Sequence, residues 1–509
     1  MKNPFGRAAL LRDRNASNSH CNRYNLKHAR GPVATGPNQI GFSTQPGLHL
    51  NPGKFVQISI WNIAVLCCAL FASTAIAKTP NIVLIFTDDQ GYQDIGCFGA
   101  PKIRTPNLDK MALEGMRFTD FYSANSVCSP SRAALLTGCY PTRVNIPGVL
   151  FPRHDIGLNP SEITIADMLK DEGYATACIG KWHLGHHAKF LPTSQGFDQY
   201  YGIPYSNDMT IDTTMPLADD VVLREGITAD KIKSEKPKKN WVPLLRNEQV
   251  IEYPCDQSTL TQRYTQEAIQ FIEDNQEQPF FLYMPHTLPH IPLAASPKFK
   301  GSSPAGFYGD TIEEIDWSVG EVLNTLKRLK LDANTLVIFT TDNGPWNLKN
   351  GHGGSALPLR GYKFQTYEGG MRVPCIMRWP GKIPAGTENS ELASTIDLLP
   401  TFARITGATV PTDRVIDGMD ILPLMLGRSD ARSPHKSFYY YRGRKLESMR
   451  QGNWKLRFNN EIELYHLGRD ISETENLAAK NPQRVKSMLQ EMKSFDESLR
   501  ANSRPEGKL

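Results

Sequence analysis

Continuous apolar runs alternate along the chain with segments of helical periodicity. The first run, Asn81–Thr87, is rich in β-branched residues and ends at Asp88-Asp89, which is typical of a strand buried on both faces. Similar runs predict strands at Tyr174–Gly180, Phe280–Met284, Thr335–Thr340 and Val373–Met377. Amphipathic patterns predict helices at Ile165–Lys170, Leu260–Asn275 and Asp310–Leu329. This alternation predicts an α/β sandwich around a large, mostly parallel sheet.

Polar residues follow several of these strands at the point where each strand ends. Asp88, Lys181, His290 and Asp342 all come just after a predicted strand. Open α/β sheets bind ligands at the carboxyl ends of their strands. We therefore expect these four side chains to lie close together in one site.

A polar segment at residues 427–434, G-R-S-D-A-R-S-P, marks a change in pattern. Beyond it, short strands are predicted at Ser437–Tyr441, Trp454–Phe458 and Glu461–Tyr465, with a helix at Gln483–Leu499. The pattern therefore predicts a main domain at residues 78–430 and a small C-terminal α+β subdomain at residues 431–509.

The N-terminal part of the chain differs in charge. Residues 1–57 hold eight Lys or Arg and one acid, Asp13, and their lack of periodicity predicts a disordered leader, or a start site placed too far upstream. Residues 58–77 are uncharged and end in Ala-Ile-Ala, which predicts a signal peptide, with an uncleaved anchor as the alternative. We thus expect an exported protein, periplasmic or secreted.

The remainder of the chain, after residue 77, is slightly acidic, which gives no case for nucleic-acid binding.

Six cysteines follow the predicted cleavage site, and none is in C-x-x-C spacing. They are too sparse for a disulfide scaffold and lack the spacing of a zinc ribbon or a redox motif.

One of the six cysteines, Cys128, is part of a longer motif. It lies in residues 126–138, S-V-C-S-P-S-R-A-A-L-L-T-G. The alternative to a functional role is a loop cysteine before a helix, with Arg132 on a solvated face.

Residues 126–138 resemble the sulfatase family, whose C-x-P-S-R motif and following L-T-G they contain. The resemblance implies an alkaline phosphatase/sulfatase-like sandwich. It also implies that a maturation enzyme oxidises Cys128 to formylglycine. The hydrated formylglycine, a geminal diol, would attack sulfur with one hydroxyl, and the second would allow sulfate to leave by elimination. Arg132 is expected to hold the diol and offset negative charge.

The resemblance also implies one divalent cation, bound by Asp88, Asp89, Asp342 and Asn343, with the diol oxygen of modified Cys128 in its shell. Both polar pairs follow strands, in F-T-D-D-Q-G and F-T-T-D-N-G-P. Oxygen ligands favour calcium or magnesium over zinc, and calcium is the family's usual ion. Each pair taken alone could instead be a turn or a helix cap.

Four further catalytic residues follow from the resemblance. In G-K-W-H-L-G, Lys181 would orient the diol and the sulfate, and His183 would assist the elimination. His290 matches a sulfate-binding histidine before an x-Pro pair, and His286 is its competitor. Lys363, in L-R-G-Y-K, would contact the sulfate and protonate the leaving alkoxide.

The sequence therefore predicts an arylsulfatase-like hydrolase of sulfate esters, acting on a sulfated small molecule or, more specifically, a sulfated carbohydrate. Its partners would be this substrate and the maturation enzyme, with membrane contact only through the export signal. Two alternatives remain open. One is a formylglycine-dependent phospho- or phosphonate monoester hydrolase, and the other is a non-catalytic sulfoglycan-binding protein.

Overall fold

The structure is a computed structural model that describes residues 79–347 and 352–509. The predicted leader and signal peptide, residues 1–57 and 58–77, lie outside the described residues. Among the described residues, no helix combines the length and the apolar character that a membrane crossing requires.

Most of the strands belong to the main sheet and lie before residue 430. In chain order the strands up to this point are β1 Asn81–Thr87, β2 Met116–Phe118, β3 Phe121–Tyr122, β4 Ile156–Gly157, β5 Ala175–Ile179, β6 Gln199–Gly202, β7 Leu217–Leu223, β8 Leu244–Arg246, β9 Gln249–Tyr253, β10 Phe280–Pro285, β11 Thr335–Thr341, β12 Cys375–Arg378, β13 Thr387–Asn389 and β14 Ala393–Ser394. The C-terminal strands are β15 Phe438–Arg442, β16 Lys445–Gln451, β17 Trp454–Asn459, β18 Glu461–His466 and β19 Gly507–Lys508.

The helices separate the strands as the pattern predicts. They are α1 Pro106–Leu113, α2 Cys128–Thr137, α3 Ile165–Asp171, α4 Ala229–Ser234, α5 Leu260–Asp274, α6 Gly306–Arg328, α7 Glu368–Met371, α8 Leu398–Thr406, α9 Leu422–Met425 and α10 Pro482–Ala501. The predicted helices are confirmed as α3, α5, α6 and α10, although α6 begins four residues before its predicted start.

Eleven strands form one sheet in the order β13-β2-β12-β11-β1-β10-β5-β6-β8-β9-β7. Its centre, β11-β1-β10-β5-β6, is parallel throughout. The predicted strand at residues 373–377 forms β12, which runs antiparallel to β11. An apolar run reports burial on both faces of a strand, and it carries no information on strand direction.

Alternate residues of the central strands pack into two separate cores. Ile82, Leu84 and Phe86 of β1 face one core with residues of α2, α3 and α8. Val83 and Ile85 face the other core with residues of α1, α5 and α6. Side chains of a strand point alternately to the two faces, so a sheet covered by helices on both sides needs every position apolar. The result is a three-layer α/β/α sandwich.

The C-terminal strands β15–β18 form a separate antiparallel sheet against α10. The pattern predicts β15, β17 and β18 but misses β16. The buried stretch of β16 includes the polar residues Glu447, Ser448 and Arg450, so it has no apolar alternation to detect. A third core joins this sheet to the main fold, where Tyr122 and Tyr140 pack against Phe438.

Candidate active site

Two polar pairs lie side by side at the carboxyl end of the sheet. Strands β1 and β11 are parallel neighbours that pair Thr87 with Thr341, so the residues that follow each strand meet. The backbone N–H of Asp89 donates to Asp342 Oδ1 at 3.2 Å, and Asn343 Nδ2 donates to Asp89 Oδ1 at 2.7 Å. The side chains of Asp88, Asp342 and Asn343 have no exposed surface. The structure thus brings all four expected metal ligands together.

Cys128 is the first residue of α2, and its side chain reaches this carboxylate cluster. Its Sγ lies 3.4 Å from Asp88 Oδ1 and 3.4 Å from Lys363 Nζ. Burial, reinforced by the charge of Asp88, raises the pKa of the Cys128 thiol. The unmodified side chain is therefore a neutral thiol, which is a poor nucleophile.

Arg132 lies one helical turn after Cys128 and is completely buried. Its guanidinium donates to Asp342 Oδ2 at 2.9 Å and to the carbonyl of Lys181 at 2.8 Å, and it lies 3.5 Å from Asp88 Oδ2. The alternative of a solvated face is therefore wrong for this residue. A buried guanidinium needs such paired acceptors, and here it joins the ends of three strands.

Lys363 is supplied by a loop rather than by a strand end. Its Nζ lies 2.6 Å from Asp89 Oδ1 and donates to Oδ2 at 2.8 Å. Burial alone would lower the pKa of Lys363, but the charges of Asp89 and the other acidic groups around it together outweigh burial and raise that pKa. The ammonium therefore stays charged beside the Cys128 side chain.

Lys181 and His290 complete the opposite wall. The Lys181 ammonium pairs with Asp88 and donates to Ser206 Oγ at 3.3 Å. His290 Nε2 lies 3.6 Å from Asp89 Oδ2, and Nδ1 lies 2.9 Å from Asn207 Oδ1. Burial, followed by the charge of Lys363, lowers the pKa of His290 well below its usual value.

Ser206 and Asn207 are site residues that sequence reasoning missed. Ser206 Oγ lies 3.3 Å from the ring of His290 and within hydrogen-bonding distance of Lys181. Both follow strand β6, which joins the parallel part of the sheet beside β5. The sequence signal that could have identified them is this position after a strand end.

The geometry separates the two candidate histidines after β10. Ligand atoms of Asp88, Asp89, Cys128 and His290 all lie within 4.8 Å of one another, and His286 is not part of this group. The ring of His286 is buried, with no hydrogen-bond partner for either nitrogen among the described residues. Its burial lowers its pKa to about 3. The structure thus favours His290.

His183 lies slightly apart from this cluster. Its Nε2 is 3.0 Å from the carbonyl of Leu150, and its Nδ1 has no hydrogen-bond partner in the described chain. The backbone N–H of Leu150 donates to Ser129 Oγ at 3.1 Å, which connects His183 to the residue after Cys128. Burial, together with the charges of Lys181 and Arg132, lowers the pKa of His183 well below its ordinary value, so the imidazole is neutral.

Two site residues have a left-handed backbone that is unusual outside glycine. Asp89 has φ 62° and His183 has φ 67°. Such conformations cost about 1 kcal/mol or more and concentrate at functional sites, where the surrounding contacts hold them. Asp89 is the second residue after strand β1, and His183 is the fourth residue after strand β5.

The oxygen-rich cluster fits a divalent cation. Asn343 Oδ1 is buried and has no hydrogen-bond partner among the described residues. Burial and the charge of Asp88 raise the pKa of Asp342 to about 7. Burial would also raise the pKa of Asp88, but Lys181, His290 and Arg132 outweigh it, and the pKa is lowered well below its usual value. An unpartnered carbonyl beside three buried carboxylates is a donor set suited to calcium or magnesium.

Comparison with known families agrees with this arrangement. The family model described as Sulfatase matches residues 80–408. A second model, described as N-sulphoglucosamine sulphohydrolase, C-terminal, matches residues 362–501. The two matches together extend over nearly all of the described chain.

Two curated relatives are similar over most of their length. Arylsulfatase A from Homo sapiens is 42% identical over 403 residues, which cover 77% of this chain and 77% of that protein. N-acetylgalactosamine-6-sulfatase from Canis lupus familiaris is 39% identical over 434 residues, covering 82% and 79%.

The solved structures confirm the predicted fold class. Ps i-CgsB aligns with a TM-score of 0.74 and 31% identity, over 82% of this chain and 93% of that one. The same protein, with the same scores, has been crystallised in complex with k-i-k-neocarrahexaose. The phosphonate monoester hydrolase of Agrobacterium radiobacter, at 19% identity and a TM-score of 0.57 over 84% of this chain and 97% of that one, shares the fold.

Proposed function

The chain belongs to the sulfatase family of sulfuric ester hydrolases, and from that premise we propose that its nucleophile is a formylglycine made from Cys128, beside one divalent cation. The observation that carries this proposal is the position of Sγ, 3.4 Å from both Lys363 Nζ and Asp88 Oδ1. A nucleophile at this position contacts the Lys363 ammonium and also Asp88, one of the proposed metal ligands.

Oxidation of Cys128 fits the surroundings of this residue. The thiol forms no disulfide, and its burial keeps it protonated, so the unmodified residue would be a weak nucleophile. When present, the hydrated aldehyde supplies one hydroxyl for attack on sulfur and a second for release of sulfate by elimination. The remaining roles belong to side chains of the chain itself.

We assign the cation to Asp88, Asp89, Asp342 and Asn343, with the oxygen on residue 128 as a further ligand. These residues offer hard oxygen donors, which is the ligand type that calcium and magnesium prefer. Calcium is the first choice because it accepts six to eight ligands in irregular geometry. The ion would withdraw electron density from sulfate oxygens and balance the three carboxylates.

Arg132 and Lys181 position the reacting groups. Both are fully buried cations that contact Asp88, so they fix this carboxylate and place positive charge around an anionic substrate. Because Nδ1 of His290 lies against the side-chain carbonyl oxygen of Asn207, Nε2 can donate a hydrogen bond to the sulfate only from a protonated ring, which an anionic substrate would favour. Pre-oriented donors of this kind stabilise the charge that develops in the transition state.

His183 and Lys363 divide the proton transfers. The neutral imidazole of His183 can accept a proton during elimination, since its lowered pKa keeps it unprotonated. The charged ammonium of Lys363 can donate a proton to the leaving alkoxide, because it contacts the side chain at position 128 directly. The proposed acid and the proposed base are thus different residues.

For the substrate we propose a sulfated carbohydrate. One relative is named an N-acetylgalactosamine-6-sulfatase, and Ps i-CgsB has been crystallised with an oligosaccharide. Action on such a substrate agrees with the predicted signal peptide at residues 58–77, which would export the protein. A maturation enzyme that acts on Cys128 is then a required partner.

The first test is mass spectrometry of the tryptic peptide that contains Cys128, from protein made together with a maturation enzyme. Conversion of a thiol side chain to an aldehyde lowers the mass by about 18 Da. The Cys128→Ala variant, made in the same cells, is the control for assigning this peptide. An unmodified thiol beside a working maturation enzyme would favour the sulfoglycan-binding alternative.

The second measurement compares turnover of 4-nitrophenyl sulfate and 4-nitrophenyl phosphate by the mature protein. We expect the sulfate ester to be preferred by a factor of about 100 or more, since the chain belongs to the sulfatase family. Preference for the phosphate ester would instead favour the phosphomonoester or phosphonate hydrolase, whose fold is shared.

A further inference from the structure

Trp346 is a half-buried aromatic residue beside the candidate active site. It comes three residues after Asn343, in the segment that leaves strand β11. The backbone N–H of Lys363 donates to the carbonyl of Pro345 at 3.0 Å, so the chain just before the tryptophan is tied to the lysine loop. The backbone just before Trp346 and the backbone of Lys363 are therefore held next to each other.

Three side chains surround the indole ring. Lys363 Nζ lies 4.8 Å from the ring centroid, and the rings of His290 and Phe364 lie 5.6 Å and 5.7 Å away. Phe364 adopts φ 72°, a strained value for a bulky residue, and its backbone N–H donates to the carbonyl of Ser126 at 3.0 Å. In the proposed function, His290 binds the sulfate and Lys363 donates a proton to the leaving oxygen.

We propose that the indole of Trp346 is the platform for the sugar ring that carries the sulfate. This rests on the proposed function, in which Lys363 protonates the leaving oxygen. That oxygen must lie near an ammonium that also contacts the indole, so the ring attached to the oxygen lies against Trp346. The substrate class is therefore an O-sulfated pyranose, and acyclic alkyl sulfates are poor ligands.

The chemistry of the two surfaces is complementary. A pyranose has a polar rim of hydroxyls and an apolar C–H face, and a flat aromatic side chain offers a large apolar area with little entropy to lose. Lys363 and His290 give the site charge and hydrogen bonds for the sulfate, but they give no apolar surface for the rest of the substrate. Trp346 supplies that surface on the leaving-group side.

Affinity is tested in the Cys128→Ala variant, so that binding is measured without turnover. Calorimetry gives the dissociation constants of galactose 6-sulfate, butyl sulfate and inorganic sulfate, before and after adding Trp346→Ala. We expect affinity for the sugar sulfate to fall by about tenfold or more, with the other two constants changed by less than about twofold. Trp346→Phe should recover most of the affinity, and Trp454→Ala, a half-buried tryptophan of β17, should change none of it.

A parallel loss for inorganic sulfate would overturn the proposal, because Trp346 would then act by supporting His290 and Lys363. Equal losses for sugar sulfate and butyl sulfate would also overturn it, since the indole would then not distinguish a sugar ring from an alkyl chain. These affinities do not depend on formylglycine. Failure of the proposed function is seen separately, as an absence of sulfate-ester turnover by the mature wild-type protein.

Discussion

The Lys363 ammonium contacts both Asp89 and the Cys128 side chain, and its proposed role as proton donor can be tested by the choice of leaving group. Lys363→Ala should lower kcat/KM for sugar or alkyl sulfates by about 1,000-fold, because their alkoxides need a proton. The loss for 4-nitrophenyl sulfate should be only about tenfold, since nitrophenolate leaves without protonation. Steady-state kinetics with both substrates measures the difference.

The control for this variant is Lys382→Ala, which removes an exposed lysine elsewhere on the main domain. Its kinetics should match the wild type. If Lys363→Ala reduces turnover of both substrates by the same factor, the lysine binds sulfate and donates no proton.

Asp342 is one of the three buried carboxylates that we propose as ligands of the cation. Asp342→Asn keeps the shape of the side chain but removes one of the three buried carboxylates that face the cation. We expect calcium affinity to fall by about 100-fold, with metal lost on dialysis. Metal content by mass spectrometry and affinity by calorimetry check this.

Asp94→Asn is a matched control for Asp342→Asn. Asp94 is also buried, and it accepts hydrogen bonds from Tyr308 Oη at 2.6 Å and from the backbone of Ser355 at 2.7 Å. Because these partners account for its carboxylate, this variant should retain calcium. Full metal content in Asp342→Asn would remove Asp342 from the site.

At the scale of secondary-structure elements, the loop at residues 359–368 connects the catalytic site to the C-terminal sheet. Arg360 donates to Tyr465 Oη at 3.0 Å and to the carbonyl of Glu473 at 2.8 Å, and it stacks on Tyr367 at 4.0 Å. Lys363 lies in the middle of this loop. The C-terminal part of the chain therefore helps to place a residue that contacts the nucleophile.

Arg360→Gln tests whether this connection positions Lys363. Arg360 is exposed, so the fold should survive, but a small displacement of Lys363 should lower turnover of sugar sulfates by about tenfold. The loss for 4-nitrophenyl sulfate should be smaller, as for Lys363→Ala. Arg484→Gln, which removes an exposed arginine stacked on Trp454, should have no effect. An equal loss for both substrates would show that Arg360 supports folding alone.

The elements that the sequence predicts best are those with one dominant physical signal. Strand β1 begins and ends where its apolar run does, because it is buried on both faces. Strand β16 has no such signal, since buried ion pairs replace apolar contacts. Its Arg450 pairs with Asp120, a residue distant in the chain, so only tertiary structure explains its burial.

The same distinction holds for the site. Asp88 and Lys181 are predictable because each follows a strand, and parallel strands bring their carboxyl ends together. Lys363 lies on a loop, so only its family motif predicts it. Asn207 follows strand β6, which the sequence pattern does not predict, and the roles of Asn207 and Trp346 depend on contacts with His290 that form only in the folded chain.

At the scale of the whole molecule, a buried ion pair joins the main fold to the C-terminal sheet. Lys455 Nζ of β17 lies 2.9 Å from Glu368 Oε1 at the start of α7, and neither side chain has exposed surface. Tyr440 Oη of β15 donates to the same carboxylate at 3.0 Å. Burial would raise the pKa of Glu368, but Lys455, Arg372 and other cations outweigh it and lower the pKa to about 2.

This pair bears on the predicted boundary at residue 430, which remains a prediction. If residues 431–509 were energetically independent, calorimetry of the mature protein would give two unfolding transitions. We expect a single transition, because unfolding of one part alone would leave the other part with a buried charge that has lost its partner.

Lys455→Met should lower Tm by about 5 °C while the transition remains single, since breaking a buried pair costs about 3–5 kcal/mol. Lys480→Met, which removes an exposed pair with Glu475, should leave Tm unchanged. Two transitions, of which Lys455→Met shifts only one, would establish an energetically independent subdomain.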